Sequence, residues 1–238
     1  MVKSPVSSPA PVLGPASARR RAPQRLWRLP GVYAPQADTL LLSRALRLEG
    51  VSGLDVLDVG TGSGALALHA AHLGAHVTAL DISRRAIWST RLNALRARQP
   101  VTAVRGDLET SLTGRRFDLV VSNPPYVPAP DPTPPAQGAG RAWDAGTDGR
   151  HVLDRLCDAA PALLRPHGVL LVVHSALNGT ERTLTRLDQA GLCTNVVDRA
   201  LVPYGPVLRG RLDWLRERGL VDTGADEEEL VVIRAERV

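Results

Sequence analysis

Aromatic side chains make up only 3 % of this 238-residue chain, so its interior must be packed with Leu, Val and Ala. With 44 % hydrophobic residues there is enough apolar material for one sizeable core. Cysteine is nearly absent. Cys157 and Cys193 lie far apart, with no CxxC and no neighbouring histidine pair. That spacing excludes a disulfide framework and argues against a metal site, so both are expected to be buried thiols in a reducing compartment. No apolar run approaches the roughly 20 residues of a membrane span. The longest, Val169 to Val173, is strand-sized. An apolar h-region for secretion is missing too, and the expected location is cytoplasmic.

Acidic residues are missing from the first 37 positions, which hold Lys3, Arg19, Arg20, Arg21, Arg25 and Arg28. The net charge of +5 therefore misleads, because the remaining 23 basic and 24 acidic side chains nearly cancel. A protein gripping a duplex carries its basic excess on the folded domain. Here the excess sits on a segment broken by Pro5, Pro9, Pro11, Pro15, Pro23 and Pro30. This disfavours nucleic acid as the main substrate. The prolines also forbid the amphipathic helix of a transit peptide. Residues 1–31 are expected to be a disordered basic tail and 32–238 a single domain.

From Leu40 onward the pattern is regular. Asp38 is placed to cap a helix running through Leu40, Leu41, Leu42, Ala45, Leu46 and Leu48. Strands are expected at Leu54–Val59, His76–Leu80, Val101–Val104, Phe117–Ser122, Val169–Val173, Thr194–Ala200 and Glu229–Ala235. Helices are expected at Ser63–Leu73, Arg84–Arg98, Arg150–Leu164 and Glu181–Ala190. Such alternation predicts a parallel sheet with helices on both faces. The segment Gly205 to Gly219, with Leu208, Leu212 and Leu215 at helical spacing, reads as inserted before the last strand.

Two strand ends carry the chemistry. Asn123-Pro124-Pro125-Tyr126 follows the apolar run Phe117 to Ser122. Each proline lacks an N–H and fixes φ, and Pro124 keeps Asn123 out of the α region. The product is a stiff loop presenting an amide, a bare carbonyl and an aromatic ring where open α/β sheets bind ligands. The plain alternative is a turn in a chain with 19 prolines. Upstream, Gly60-Thr61-Gly62-Ser63-Gly64 ends a strand and opens a helix, letting backbone approach a ligand closely. Gly60, Gly62 and Ala65 also satisfy a relaxed dinucleotide fingerprint, with Asp81 at its acidic position. A nicotinamide dehydrogenase is therefore a competitor on this segment alone. Asp81 and Asp107 each have a helix N-cap as their plain reading.

Asn-Pro-Pro-Tyr resembles the catalytic motif of N-methyltransferases that use S-adenosylmethionine (SAM) on planar nitrogens. The closely spaced Gly-Thr-Gly-Ser-Gly is similar to the SAM loop of the class I methyltransferases. On that resemblance Asp58 accepts from the ligand's ammonium group, Asp81 takes the ribose hydroxyls, and Asp107 with Leu108 meets the adenine. Val32-Tyr33-Ala34-Pro35-Gln36-Ala37-Asp38-Thr39 resembles the entrance segment of the HemK-type glutamine methyltransferases, with Thr39 a cofactor contact. Ala142-Trp143-Asp144-Ala145-Gly146-Thr147-Asp148-Gly149-Arg150 resembles that family's substrate-pocket segment.

The resemblance covers residue 32 to the C-terminus. It implies a class I, Rossmann-like seven-stranded sheet with an antiparallel last strand, and methylation of the Gly-Gly-Gln glutamine of class I peptide-chain release factors. Asn123 and Pro124 would hold the acceptor nitrogen, Pro125 and Trp143 would line its pocket, and Tyr126 would stack on it. Only the expected basic tail precedes residue 32, so the helical N-terminal domain of the bacterial enzymes is not expected here. The architecture is closer to the single-domain branch, whose eukaryotic members work with a small zinc-binding activator subunit. Adenine-N6 methylation of DNA or RNA and methylation of a small-molecule amine remain alternatives, because the same tetrapeptide logic serves them.

Overall fold

The computed structural model describes residues 26–238, and the expectation for residues 1–25 lies outside them. Seven strands form one sheet: β1 Asp55–Val59, β2 His76–Asp81, β3 Val101–Arg105, β4 Phe117–Ser122, β5 Leu164–Ser175, β6 Leu192–Pro203 and β7 Glu227–Arg237. Their order is β3-β2-β1-β4-β5-β7-β6. All pair in parallel except β7, which slots antiparallel between β5 and β6. The central strands are apolar runs because both faces are covered. On one face, Leu41, Leu42 and Leu46 of α1 (Ala37–Leu48) join Leu66, Ala67 and Ala70 of α2 (Ala65–His72) over Val56, Leu119 and Leu171. On the other, Leu153, Leu156 and Ala160 of α4 (His151–Leu163) and Leu187 of α5 (Thr180–Gln189) cover Leu57, Val120 and Leu170.

The central elements match the sequence expectation to within a residue or two, and the later strands are longer. β5 begins at Leu164 because the segment through His167 (φ 60°) and Gly168 stays paired with β4 across a register shift between Phe117 and Leu119. The inserted segment folds as two short helices, α6 (Pro206–Arg209) and α7 (Leu212–Glu217). They bury Leu208 and Leu215 against Tyr204 and Val221. Cys157 is buried as expected. Cys193 is exposed, because β6 is an edge strand whose alternate side chains meet solvent.

Two expectations near the N-terminus are corrected. Residues 26–31, assigned to the tail, dock on α3 (Arg84–Ala97). Asn93 of α3 accepts from Trp27 N–H (2.8 Å) and donates to the carbonyls of Trp27 (2.8 Å) and Ser63 (2.9 Å). Leu29 N–H donates to Ser89 Oγ at 3.1 Å. Asp38 is not a cap either. Gln36 holds that position without a side-chain bond, and Asp38 lies in the first turn, 2 % exposed. Among the described residues, no helix is long and apolar enough to cross a membrane.

One buried carboxyl makes stability depend on pH. Glu228 on β7 is buried, and its Oε2 has no hydrogen-bond partner. Burial lifts it from the ordinary 4.5 to about 7; a bond from Ser175 opposes the rise and the charge of Asp38 adds to it. The folded chain thus holds this proton more tightly than the unfolded one. Its contribution is most favourable below pH 4.5 and is lost as pH rises toward 7. Glu228→Gln is expected to melt above wild type at pH 8, with the gap closing near pH 4.5. Calorimetric melts showing a pH-independent gap would contradict this.

Candidate active site

The strand order reverses between β1 and β4, and ligands in open α/β sheets bind at such a crevice. Two loops leave the carboxyl ends of these strands. The first turns through Gly60, Gly62 and Gly64, all at positive φ (70°, 57° and 83°). Gly60 and Thr61 N–H donate to Leu80 O at 2.9 and 3.1 Å, tying the loop to the end of β2. Gly60 and Gly62 line the cavity. Gly64 does not. It lets α2 approach α3, since a Cβ there would lie 3.0 Å from Thr90 Cγ2.

Asp58 does not face the cavity as expected. It is 1 % exposed beneath the glycine loop, where Oδ2 accepts from Thr61 Oγ1 (2.6 Å) and Ala67 N–H (3.0 Å). An inward position on a central strand directs this side chain under the loop, where it braces both the turn and the start of α2. Burial raises its carboxyl to about 7 against those two bonds.

Asp81, closing β2, does line the cavity. Its Oδ2 accepts from Gly62 N–H (3.0 Å) and its Oδ1 from Ser83 N–H (2.8 Å). Burial pushes its pKa up, while the two backbone bonds and Arg141 pull it down. Each oxygen keeps a further lone pair, enough to accept two vicinal hydroxyls. Asp107 and Leu108 line the next stretch. Asp107 Oδ1 accepts from Arg155 (2.9 Å) and Glu109 N–H (3.1 Å), which leaves Oδ2 for a donor such as an exocyclic amine.

The second loop is Asn123 to Tyr126. Ser122 Oγ donates to Val59 O at 2.9 Å, locking the two strand ends together. Asn123, Pro124 and Pro125 line the cavity. Asn123 Nδ2 donates to Thr39 Oγ1 at 3.3 Å. Tyr126 was expected to stack on a substrate. The structure instead buries its ring in the α1–α2 core with 9 % exposure, and its hydroxyl donates to Asp38 Oδ2 at 3.1 Å. Tyr126 still lines the cavity, but its core packing and its bond to Asp38 make it the anchor of the loop.

Beyond it, Val127 N–H donates to Trp143 O (2.8 Å) and Ala145 N–H to Val127 O (3.1 Å), closing the proline-rich loop at its stem. That stem brings Trp143 and Arg141 to the cavity, which has a volume of about 340 Å³. His151 starts α4 as expected and also lines the cavity. His174 is a buried strand-end residue, with burial lowering its pKa to about 4.

Sequence reasoning missed Arg155 and Arg141. Arg155 meets Asp107 across 48 residues, and no local pattern signals such a pairing. Among the described residues, no His, Cys, Asp and Glu group is placed to hold a metal.

A family profile described as "Methyltransferase small domain" matches residues 24–133. A Methanocaldococcus jannaschii protein with the provisional name protein N5-glutamine methyltransferase is 32 % identical over 176 residues, covering 74 % of this chain and 88 % of its own length. The chain belongs to the HemK-type glutamine methyltransferase family. A Bordetella pertussis release factor glutamine methyltransferase is 40 % identical over 174 residues, and this chain spans 63 % of that enzyme. The E. cuniculi Mtq2–Trm112 complex, described as responsible for methylating the eRF1 termination factor, superposes with a TM-score of 0.63 at 27 % identity. The match covers 87 % of this chain and 99 % of that one. As a family member, the chain is a methyltransferase, and its sheet is that of the class I enzymes.

The cavity's ribose end gives a direct test. Asp81→Ala removes two charge-assisted acceptors and is expected to weaken SAM binding by at least about tenfold, from roughly 1.5–3 kcal/mol. Unchanged affinity in titration calorimetry, with a native melt, would remove Asp81 from the cofactor site.

Proposed function

We propose that this chain transfers a methyl group from SAM to the side-chain amide of the glutamine in a release factor's Gly-Gly-Gln motif. The observation that carries the reading is the pairing of Asn123 and Pro124 on one cavity wall. Because Asn123 Nδ2 is turned toward Thr39, its Oδ1 is free to accept. Pro124 offers a carbonyl on a backbone that cannot relax into helix. The names of the relatives supply the substrate class.

The residues present fit the cofactor. The positive-φ glycines leave backbone bare at Gly60 and Gly62, Asp81 keeps lone pairs for a diol, and Asp107 keeps one oxygen. When bound, SAM supplies a methyl carbon made electrophilic by the attached sulfonium. An amide nitrogen is a poor nucleophile because its lone pair is delocalised. Asn123 Oδ1 and Pro124 O each accept one hydrogen of the planar NH₂, orient the nitrogen and stabilise the positive charge it gains. Holding the nitrogen in line contributes several kcal/mol, on the scale of other positioning effects. The nitrogen's surplus proton leaves to water after the charge has developed.

Asn123→Ala is expected to lower methylation of a purified release factor by about 10²–10³-fold, with SAM affinity close to wild type. Labelled methyl incorporation checks this, using a factor with its glutamine changed to alanine as the blank. Wild-type labelling of adenine in RNA or DNA, with the factor untouched, would overturn the substrate. An undiminished rate for Asn123→Ala would overturn the mechanism.

A further inference from the structure

Resting on the glutamine-amide reading, we infer that Asp38 and Thr39 form a positioning relay that holds both ends of Asn-Pro-Pro-Tyr and fixes which face of the Asn123 amide meets the substrate. The sequence resemblance placed Thr39 on the cofactor, and helix-start rules read Asp38 as a cap. Both stand on the cavity lining, and the geometry gives them a further task.

The Asp38 carboxylate is buried and accepts four hydrogen bonds. Oδ1 receives Thr39 N–H and Thr39 Oγ1 (3.1 Å). Oδ2 receives the hydroxyls of Tyr33 (2.7 Å) and Tyr126 (3.1 Å). Four bonds use the acceptor capacity of a carboxylate, and a carboxylate has no hydrogen to give. Every partner must therefore donate. Burial and the charge of Asp38 hold both phenols well above their ordinary titration range, so their hydroxyl hydrogens stay in place.

The consequence reaches Asn123. With its one hydrogen committed to Asp38, Thr39 Oγ1 can only accept from its neighbour, 3.3 Å away. An amide nitrogen satisfies it and an amide oxygen does not. Asn123 must then turn Nδ2 to Thr39 and Oδ1 outward, the orientation that accepting a substrate NH₂ requires. The second route is direct, since Tyr126 closes the tetrapeptide and ends on the same carboxylate. Asn178 Nδ2 adds a strut at 2.7 Å to the Tyr126 carbonyl. A flipped Asn123 would present two donors to an NH₂ group and repel it.

The test compares Thr39→Val, which keeps shape but loses the hydroxyl, with Thr39→Ser, which restores it. At saturating SAM, Thr39→Val is expected to lower kcat on a Gly-Gly-Gln factor by about 10²-fold, the scale of a misplaced reacting group. Thr39→Ser should recover most of the loss. The side-chain amide resonances of Asn123, assigned in ¹⁵N spectra without substrate, should shift in Thr39→Val and return in Thr39→Ser. Tyr126→Phe cuts the other tether and should also lower kcat with SAM affinity retained. Wild-type kcat in both Thr39→Val and Tyr126→Phe would overturn the relay. So would unmoved Asn123 resonances in Thr39→Val, or a loss of rate abolished by raising SAM. Should the wild type leave the factor unmethylated, the substrate reading fails while the resonance experiment still decides the relay.

Discussion

Pairing of β1 with β4 is the constraint on which the site depends. Val56 to Val59 lie in parallel register with Leu119 to Ser122, and Ser122 Oγ bonds Val59 O at the end of the ladder. The glycine loop and the proline loop therefore start from the same level of the sheet. A one-residue slip would turn Asn123 to the opposite face, because side chains alternate along a strand. The buried Val and Leu positions on both strands forbid that slip. Hydrophobic register, set far below the cavity, places the Asn123 amide and the glycine loop against each other.

Above that frame the site is held by two buried carboxyl groups that brace its loops. Asp58 sits under the glycine loop and Asp38 under the proline loop. Burying a charge is costly unless it is hydrogen-bonded, and both side chains collect bonds from the loop above them. The cost becomes rigidity where methyl transfer needs it. Glu228 lies near Asp38 with an orphaned oxygen, so this region trades some stability at neutral pH for its polar network.

Much of this was legible in the chain. Alternating apolar runs and helical spacing placed β1 through β4 and their helices, since β1, β2 and β4 are central parallel strands that follow burial alone and β3 at the edge still reads as a short apolar-rich run. The ends of β5 and β6 were not, because Pro166 and Pro203 lack the N–H a strand interior uses, and only pairing with β4 and β7 shows the strands running through them. The loop residues were legible as one site, since Gly60, Gly62, Asp81, Asp107 and Asn123 all stand on the cavity wall. Asp38 and Tyr126 were read from local rules, as a cap and a stacking ring. Their true relation spans 88 residues. Arg155 had no local signal at all, and Asp58 sat in the right motif with its side chain on the unexpected side of the loop.

A structure of the protein with S-adenosylhomocysteine and a Gly-Gly-Gln peptide tests the central claim most directly. The glutamine nitrogen should lie about 2.7–3.2 Å from both Asn123 Oδ1 and Pro124 O. It should also point at the thioether sulfur. A glutamine side chain bound elsewhere, or Asn123 presenting Nδ2 to it, would contradict the account.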